Sequence, residues 1–139
     1  MPSWEQWRLA FDDRMPIYRQ IILRFSQAFV CGDIQPGERI PSIRELSAML
    51  KVNTNTIQRV YQEMERGEMI NSRRGTGYFF TEDKKMIEKI RRNLARESLN
   101  RFVGEMRALG CTDAEILNDL EEYMKGGKRH EYNSRNLRA

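Results

Sequence analysis

The sequence contains little cysteine and almost no histidine, and each shortage excludes a class of site. Its two cysteines, Cys31 and Cys111, lie far apart without the spacing of metal ligands, and we interpret both as reduced, partly buried thiols of a cytoplasmic protein. The single histidine, His130, lies in a basic tail, and we find no nucleophile or orienting partner for it. We therefore expect no metal, no cofactor and no enzymatic activity.

Long apolar runs are also lacking. No run approaches the roughly 20 residues that a membrane-spanning helix needs, and the N-terminus lacks the hydrophobic region of a signal peptide. Hydrophobic residues make up 40% of the 139 residues and charged residues 32%, with a net charge of +4. We therefore expect a soluble protein without a membrane partner, whose positive charge favours a polyanion such as nucleic acid.

The segment from Pro16 to the start of the third helix predicts two helices and a connector. Pro16 suits the first turn of a helix with apolar residues at helical spacing. Arg39 and Ile40 form a possible short strand. Ser42 and Glu45 form a capping box at the start of a second helix, whose short length is typical of the first arm of a helix-turn-helix.

A third helix and a β-hairpin follow. Asn53 predicts the N-cap of the helix, and Val52 before it can pack on Ile57 as a hydrophobic staple. Residues 69–72 and 78–81 read as two strands around "RRGTG". This order predicts a mainly α fold with a small β-hairpin, a winged helix-turn-helix over residues 16–82.

Uncharged polar side chains at the start of the third helix suggest contact with DNA. The buried stripe of this helix leaves facing outward or sideways the side chains of Thr54, Asn55, Gln58, Arg59 and Gln62. Amide and hydroxyl groups suit base edges. The alternative is that such residues only cap the helix or are solvated, and for Asn53 capping is the main role expected.

Arginines nearby suit phosphates. Arg44, in the first turn of the second helix, is unfavourable for the helix dipole unless an anion is near. Arg73 and Arg74 lie beside two glycines that allow close approach to a backbone. A mononucleotide-binding loop is excluded for "RRGTG", because no Lys-Ser/Thr signature and no helix follow.

Residues 83–126 predict two further helices, the second with a capping box at Thr112 and Glu115. Their apolar residues exceed what a two-helix hairpin can bury, so we expect a partner subunit rather than packing onto the winged helix. The residues expected to form this dimer interface are Ile90, Leu94, Phe102, Val103, Met106, Leu109, Leu117 and Leu120. Residues 1–15, with Trp4 and Trp7, read as an arm, and residues 127–139 as a basic flexible tail.

Two stretches, "PIYRQI" and "GDIQPGERIPSIRELSAMLKVNTNTIQRVYQEMERGEMINSRRGTGYFF", closely resemble the DNA-binding domain of the GntR family of bacterial transcription regulators. The resemblance implies that Arg44, Thr54, Asn55, Thr56 and the wing residue Gly75 contact operator DNA, with Ser42 as a phosphate ligand. The residues expected to bind DNA are together Ser42, Arg44, Thr54, Asn55, Thr56, Gln58, Arg59, Arg73, Arg74, Gly75 and Thr76.

The short helical tail resembles that of the YtrA subfamily, where it is a dimerisation unit. It is too short for larger effector domains or for the pyridoxal phosphate domain of other subfamilies, which leaves any small-molecule effector unknown and with little room to bind. We expect a homodimeric repressor of a palindromic operator near its own operon. The alternative is a protein-interaction or architectural module that does not read sequence.

Overall fold

The structure, a computed structural model, describes residues 9–126. The expectations for Trp4, Trp7, His130 and the basic tail concern residues outside this range. Helix α1, Ile17–Val30, buries Ile21, Phe25 and Phe29. Pro16 stands at the N-cap rather than in the first turn, because its ψ of 139° is extended and its carbonyl accepts hydrogen bonds from the Arg19 and Gln20 N–H groups.

A tight turn joins helix α2, Ile43–Leu50, to helix α3, Thr54–Arg66. Lys51 ends α2 in the left-handed region, with φ 55°. The Val52 N–H donates to the Ser47 carbonyl oxygen over 3.1 Å, and the Ser47 hydroxyl donates back to the Val52 carbonyl. These two bonds satisfy the end of α2 and fix the direction in which α3 begins.

The capping interactions expected from the sequence form at α2 and α3. The Ser42 hydroxyl accepts the Glu45 N–H over 3.1 Å, while the Glu45 carboxylate accepts the Ser42 N–H, which completes the capping box. Asn53 Oδ1 accepts the Asn55 N–H over 2.8 Å. The buried stripe of α3 consists of Ile57, Val60, Tyr61 and Met64.

An antiparallel hairpin follows α3. Strand β1, Ile70–Arg73, pairs with strand β2, Gly77–Phe80, in a register that places Ile70 opposite Phe80 and Arg73 opposite Gly77. Both strands lie within one residue of the predicted ones. The expected short strand at Arg39 forms a bridge with Phe79, and the Ile40 N–H donates to the Tyr78 carbonyl over 3.0 Å. This connector therefore lies along the outer edge of the wing.

Two further helices follow, α4 (Lys84–Ala108) and α5 (Asp113–Met124). The capping box at Thr112 and Glu115 is present, and Arg107 donates to both oxygens of Asp113 over 3.0 and 3.2 Å. None of the helices that the structure describes is long and apolar enough to cross a lipid bilayer.

The described residues divide into two compact units, one ending at Leu94 and one beginning at Ala95. The first eleven residues of α4 therefore belong to the unit that contains the winged helix, whereas the sequence suggested a boundary at residue 83. In the second unit, Ile116 is the one described residue that is buried.

The core of the first unit corrects part of the expected dimer interface. Ile90 is 9% exposed and belongs to this core, and Leu94 packs against it with Met86 and Ile87. A partner subunit was expected to cover these side chains, but they pack against the core of the winged helix instead. The other six residues of the expected interface lie in the second unit.

Candidate nucleic-acid interface

The tip of α3 presents polar side chains that make no hydrogen bond within the described part of the chain. Thr54, Asn55 and Gln58 are exposed, and Thr56 is half-exposed. Asn53 provides the cap, so the Asn55 side-chain amide remains free to donate and accept. A free amide at a helix tip can form the paired hydrogen bonds that adenine offers in the major groove.

Tyr61 fixes the orientation of this helix from the buried side. Its hydroxyl donates to the Pro41 carbonyl oxygen over 2.5 Å, and its ring meets that of Tyr78 edge-on, with centroids 5.0 Å apart. Pro41 precedes α2 and Tyr78 lies in β2, so one side chain ties the reading helix to both neighbouring elements. Burial raises the pKa of the Tyr61 hydroxyl, which therefore keeps its proton.

The N-terminus of α2 carries its N-cap residue, Ser42, and Arg44, both exposed. The Ser42 oxygen accepts a backbone N–H in the capping box, while its own O–H remains able to donate to an anion. Arg44 lies at the positive end of the helix dipole, where a phosphate would offset the unfavourable position of its charge.

The wing ends in an exposed turn of Arg74, Gly75 and Thr76. The Thr76 N–H donates to the Arg73 carbonyl over 3.0 Å, and Gly75 has φ 79°. A Cβ at Gly75 would meet no atom within 4 Å, so the backbone conformation, and not crowding, favours glycine there. The Arg73 guanidinium lies 4.2 Å from the ring centroid of Phe79.

Arg39 is a residue of this surface that the sequence analysis did not assign. It is exposed, bridges to Phe79, and its Nε lies 3.2 Å from where a Cβ on Gly77 would be. The sequence did carry a signal for this position. In a strand whose Ile40 side chain points inward, the Arg39 side chain must point outward.

The exposed Arg59 side chain lies sideways against α1. Its guanidinium carbon lies 3.8 Å from the ring centroid of Tyr18 in α1. An interaction between residues 41 positions apart leaves no local signal in the sequence.

The arginines of this surface are uncompensated. Within residues 9–126, carboxylates pair with Arg14, Arg66, Arg91, Arg92 and Arg107. Arg39, Arg44, Arg59, Arg73 and Arg74 form no ion pair with any described residue, so the reading helix is bordered by positive charge that no carboxylate in this part of the chain neutralises.

Over residues 9–126 no three His, Cys, Asp or Glu side chains lie close enough together to hold a metal ion. Both thiols are free; Cys111 is half-buried as expected, but Cys31 is exposed, because it follows the last turn of α1 at the surface.

A helix-turn-helix with a free polar tip and an arginine-bearing hairpin defines a winged-helix DNA-binding protein. The model of the family described as "Bacterial regulatory proteins, gntR family" matches residues 17–80. The HTH-type transcriptional regulator YhcF of Bacillus subtilis is 39% identical over 117 residues, which cover 84% of this chain and 97% of that protein. The chain belongs to the GntR family and is a DNA-binding transcription regulator.

Two other comparisons extend beyond the DNA-binding domain. The HTH-type transcriptional repressor YtrA of B. subtilis is 28% identical over 120 residues, covering 84% of this chain and 92% of the repressor. A GntR family transcriptional regulator from Listeria monocytogenes superposes with a TM-score of 0.72 at 39% identity, covering 81% of this chain and 98% of that one. The similarity to YtrA-type regulators therefore includes the C-terminal helices.

Proposed function

We propose that the protein is a dimeric, cytoplasmic repressor that binds a palindromic operator near its own operon and blocks transcription by occupying it. The observation that carries this proposal is the polar tip of α3, bordered by arginines that pair with no carboxylate among residues 9–126. The tip supplies base contacts, and the arginines supply phosphate contacts. The relative YtrA is named a repressor, which supports the direction of regulation.

The second unit supports dimerisation. Leu109 and Leu117 are 79% and 66% exposed, and large apolar side chains this exposed in one small unit are typical of a protein–protein interface. Of the expected interface residues, six remain candidates: Phe102, Val103, Met106, Leu109, Leu117 and Leu120. Three more apolar residues there, Leu99, Tyr123 and Met124, are also exposed. Two-fold symmetry of the protein would match a palindrome in the DNA.

No small-molecule effector or cofactor is part of this proposal. With Ile116 as the one buried residue among the described residues of the second unit, there is little apolar interior to enclose a ligand. Membership in a family of transcription regulators likewise favours a binding protein over an enzyme.

Base reading by Asn55 tests the proposal. A palindrome enriched from random DNA should bind Asn55→Ala about 5- to 150-fold more weakly per half-site than wild type, because one paired base contact contributes about 1–3 kcal/mol. Thr54→Ala should weaken binding in the same assay, fluorescence anisotropy at fixed salt. Asn93→Ala, which removes another exposed amide, is the matched control and should leave affinity unchanged.

The alternative, an architectural module, predicts a different result. Selection from random DNA would then enrich no palindrome, and the Asn55 and Asn93 variants would bind all duplexes with equal affinity. Either outcome would reject sequence-specific regulation by this surface.

A further inference from the structure

The contact between Tyr18 and Arg59 joins two helices at the edge of the DNA-facing surface. Tyr18 is half-buried and packs against the core, so its ring has a fixed position. Arg59 is exposed, with its guanidinium carbon 3.8 Å from the ring centroid. A guanidinium stacked on a ring in this way keeps N–H groups at its edge free to donate.

Two positively charged side chains lie against Tyr18. Arg19 Nε donates to the Tyr18 hydroxyl oxygen over 3.3 Å, which places a second guanidinium at the rim of the same ring. The first turn of α1, which contains Tyr18 and Arg19, has no acidic residue. Neither Arg19 nor Arg59 pairs with a carboxylate among the described residues.

The place of Arg59 on α3 indicates what it contacts. It lies four residues after Asn55 and so shares a face with it, one turn further from the tip. A guanidinium held sideways against α1 is not extended toward the bases that Asn55 would reach. Its free donors are instead suited to the phosphate backbone that borders the groove, and paired N–H groups match phosphate oxygens.

We propose that Arg59 binds a DNA phosphate beside the reading helix and that Tyr18 is the positioning residue that holds it there. This inference rests on the proposed DNA binding and adds a phosphate anchor, formed by α1 and α3, to those proposed at the start of α2 and on the wing. The cation–π contact fixes the side chain before DNA arrives, so less conformational freedom is lost on binding.

The dependence of affinity on salt tests the phosphate contact. On the selected palindrome, Arg59→Gln should weaken binding about tenfold and reduce the slope of log affinity against log salt by about one per subunit. The ranking of base preferences should not change. An unchanged slope, or a new preference at one base pair, would overturn the phosphate assignment.

A double-mutant cycle tests the positioning role. Tyr18→Leu should weaken binding about threefold per subunit, and Tyr18→Phe, which keeps the ring, should stay within twofold of wild type. Tyr18→Leu should have no further effect in an Arg59→Gln background. Arg73 stacks on a different ring, that of Phe79. In an Arg73→Gln background, Tyr18→Leu should therefore still weaken binding about threefold.

Equal effects of Tyr18→Leu in the Arg59→Gln and Arg73→Gln backgrounds would overturn the positioning role, since they would show a general structural defect. Thermal melting of each variant identifies such a defect independently. If the wild type preferred no sequence, the proposed function would be rejected. The proposal for Arg59 would still be tested, because the contribution of Arg59 to the salt slope is measurable on any duplex.

Discussion

Tyr61 is the residue whose single side chain connects α3 to the segment before α2 and to the wing. Replacing it with phenylalanine removes the hydroxyl and leaves the buried Pro41 carbonyl oxygen without its donor. Tyr61→Phe should lower the free energy of unfolding by about 1 kcal/mol, the usual net contribution of such a bond. Urea unfolding measures it, and Tyr123→Phe, at a side chain 62% exposed, should have no effect.

The same substitution should also change how stability depends on pH. Because burial raises the pKa of Tyr61, the folded state keeps a proton that an unfolded tyrosine loses near pH 10. The unfolded state then binds fewer protons, so stability falls as pH rises above about 10, by up to about 1.4 kcal/mol per pH unit. The difference between wild type and Tyr61→Phe should therefore narrow between pH 8 and pH 10.5, and a constant difference would contradict this.

At the scale of elements, Ser42 caps and stabilises α2, and it is also proposed to contact a phosphate. Ser42→Ala should destabilise the protein by about 1 kcal/mol, because the Glu45 N–H loses its acceptor. Ser42→Asp keeps an acceptor and should retain stability, but its negative charge would face the phosphates and should weaken DNA binding at least tenfold.

The capping box of α5 provides the control for the two Ser42 variants. Thr112→Asp makes the same kind of change at the start of α5, at a residue that is not among the proposed DNA contacts, and should alter neither melting temperature nor affinity. If Ser42→Asp bound DNA as tightly as wild type in anisotropy titrations, Ser42 would serve only as a cap.

How far these elements could be predicted depends on the range of the interactions that form them. Both capping boxes and the Asn53 cap depend on residues two or three positions apart, so local sequence predicted them. Ile90 could not be placed in the same way, because an apolar stripe on a helix does not specify whether its own chain or another one covers it. The stacking of Arg59 on Tyr18 likewise needed the packing of α1 on α3.

At the scale of the whole molecule, self-association depends on the second unit. Leu117→Glu places a charge among exposed apolar side chains and should convert the proposed dimer to a monomer in sedimentation velocity. Affinity for the full palindrome should fall steeply, while affinity for one half-site should not change. The matched control is the neighbouring Asn118→Glu, which adds the same charge at an exposed polar position.

A dimer that persists in Leu117→Glu, and in a second variant, Leu109→Glu, would exclude this surface as the interface. If both variants were monomeric yet bound the palindrome with wild-type affinity, the two half-sites would be occupied independently.

The packing of Ile90 and Leu94 on the winged helix determines where the chain could be divided for biochemical work. A fragment that stops at the end of the wing would lose these side chains and leave uncovered the core they pack against. We expect such a fragment to aggregate or to be proteolysed readily. A fragment that continues through Leu94 retains the start of α4, whose side chains cover that core. This fragment, and not one that ends at the wing, is suited to measuring binding to a single half-site.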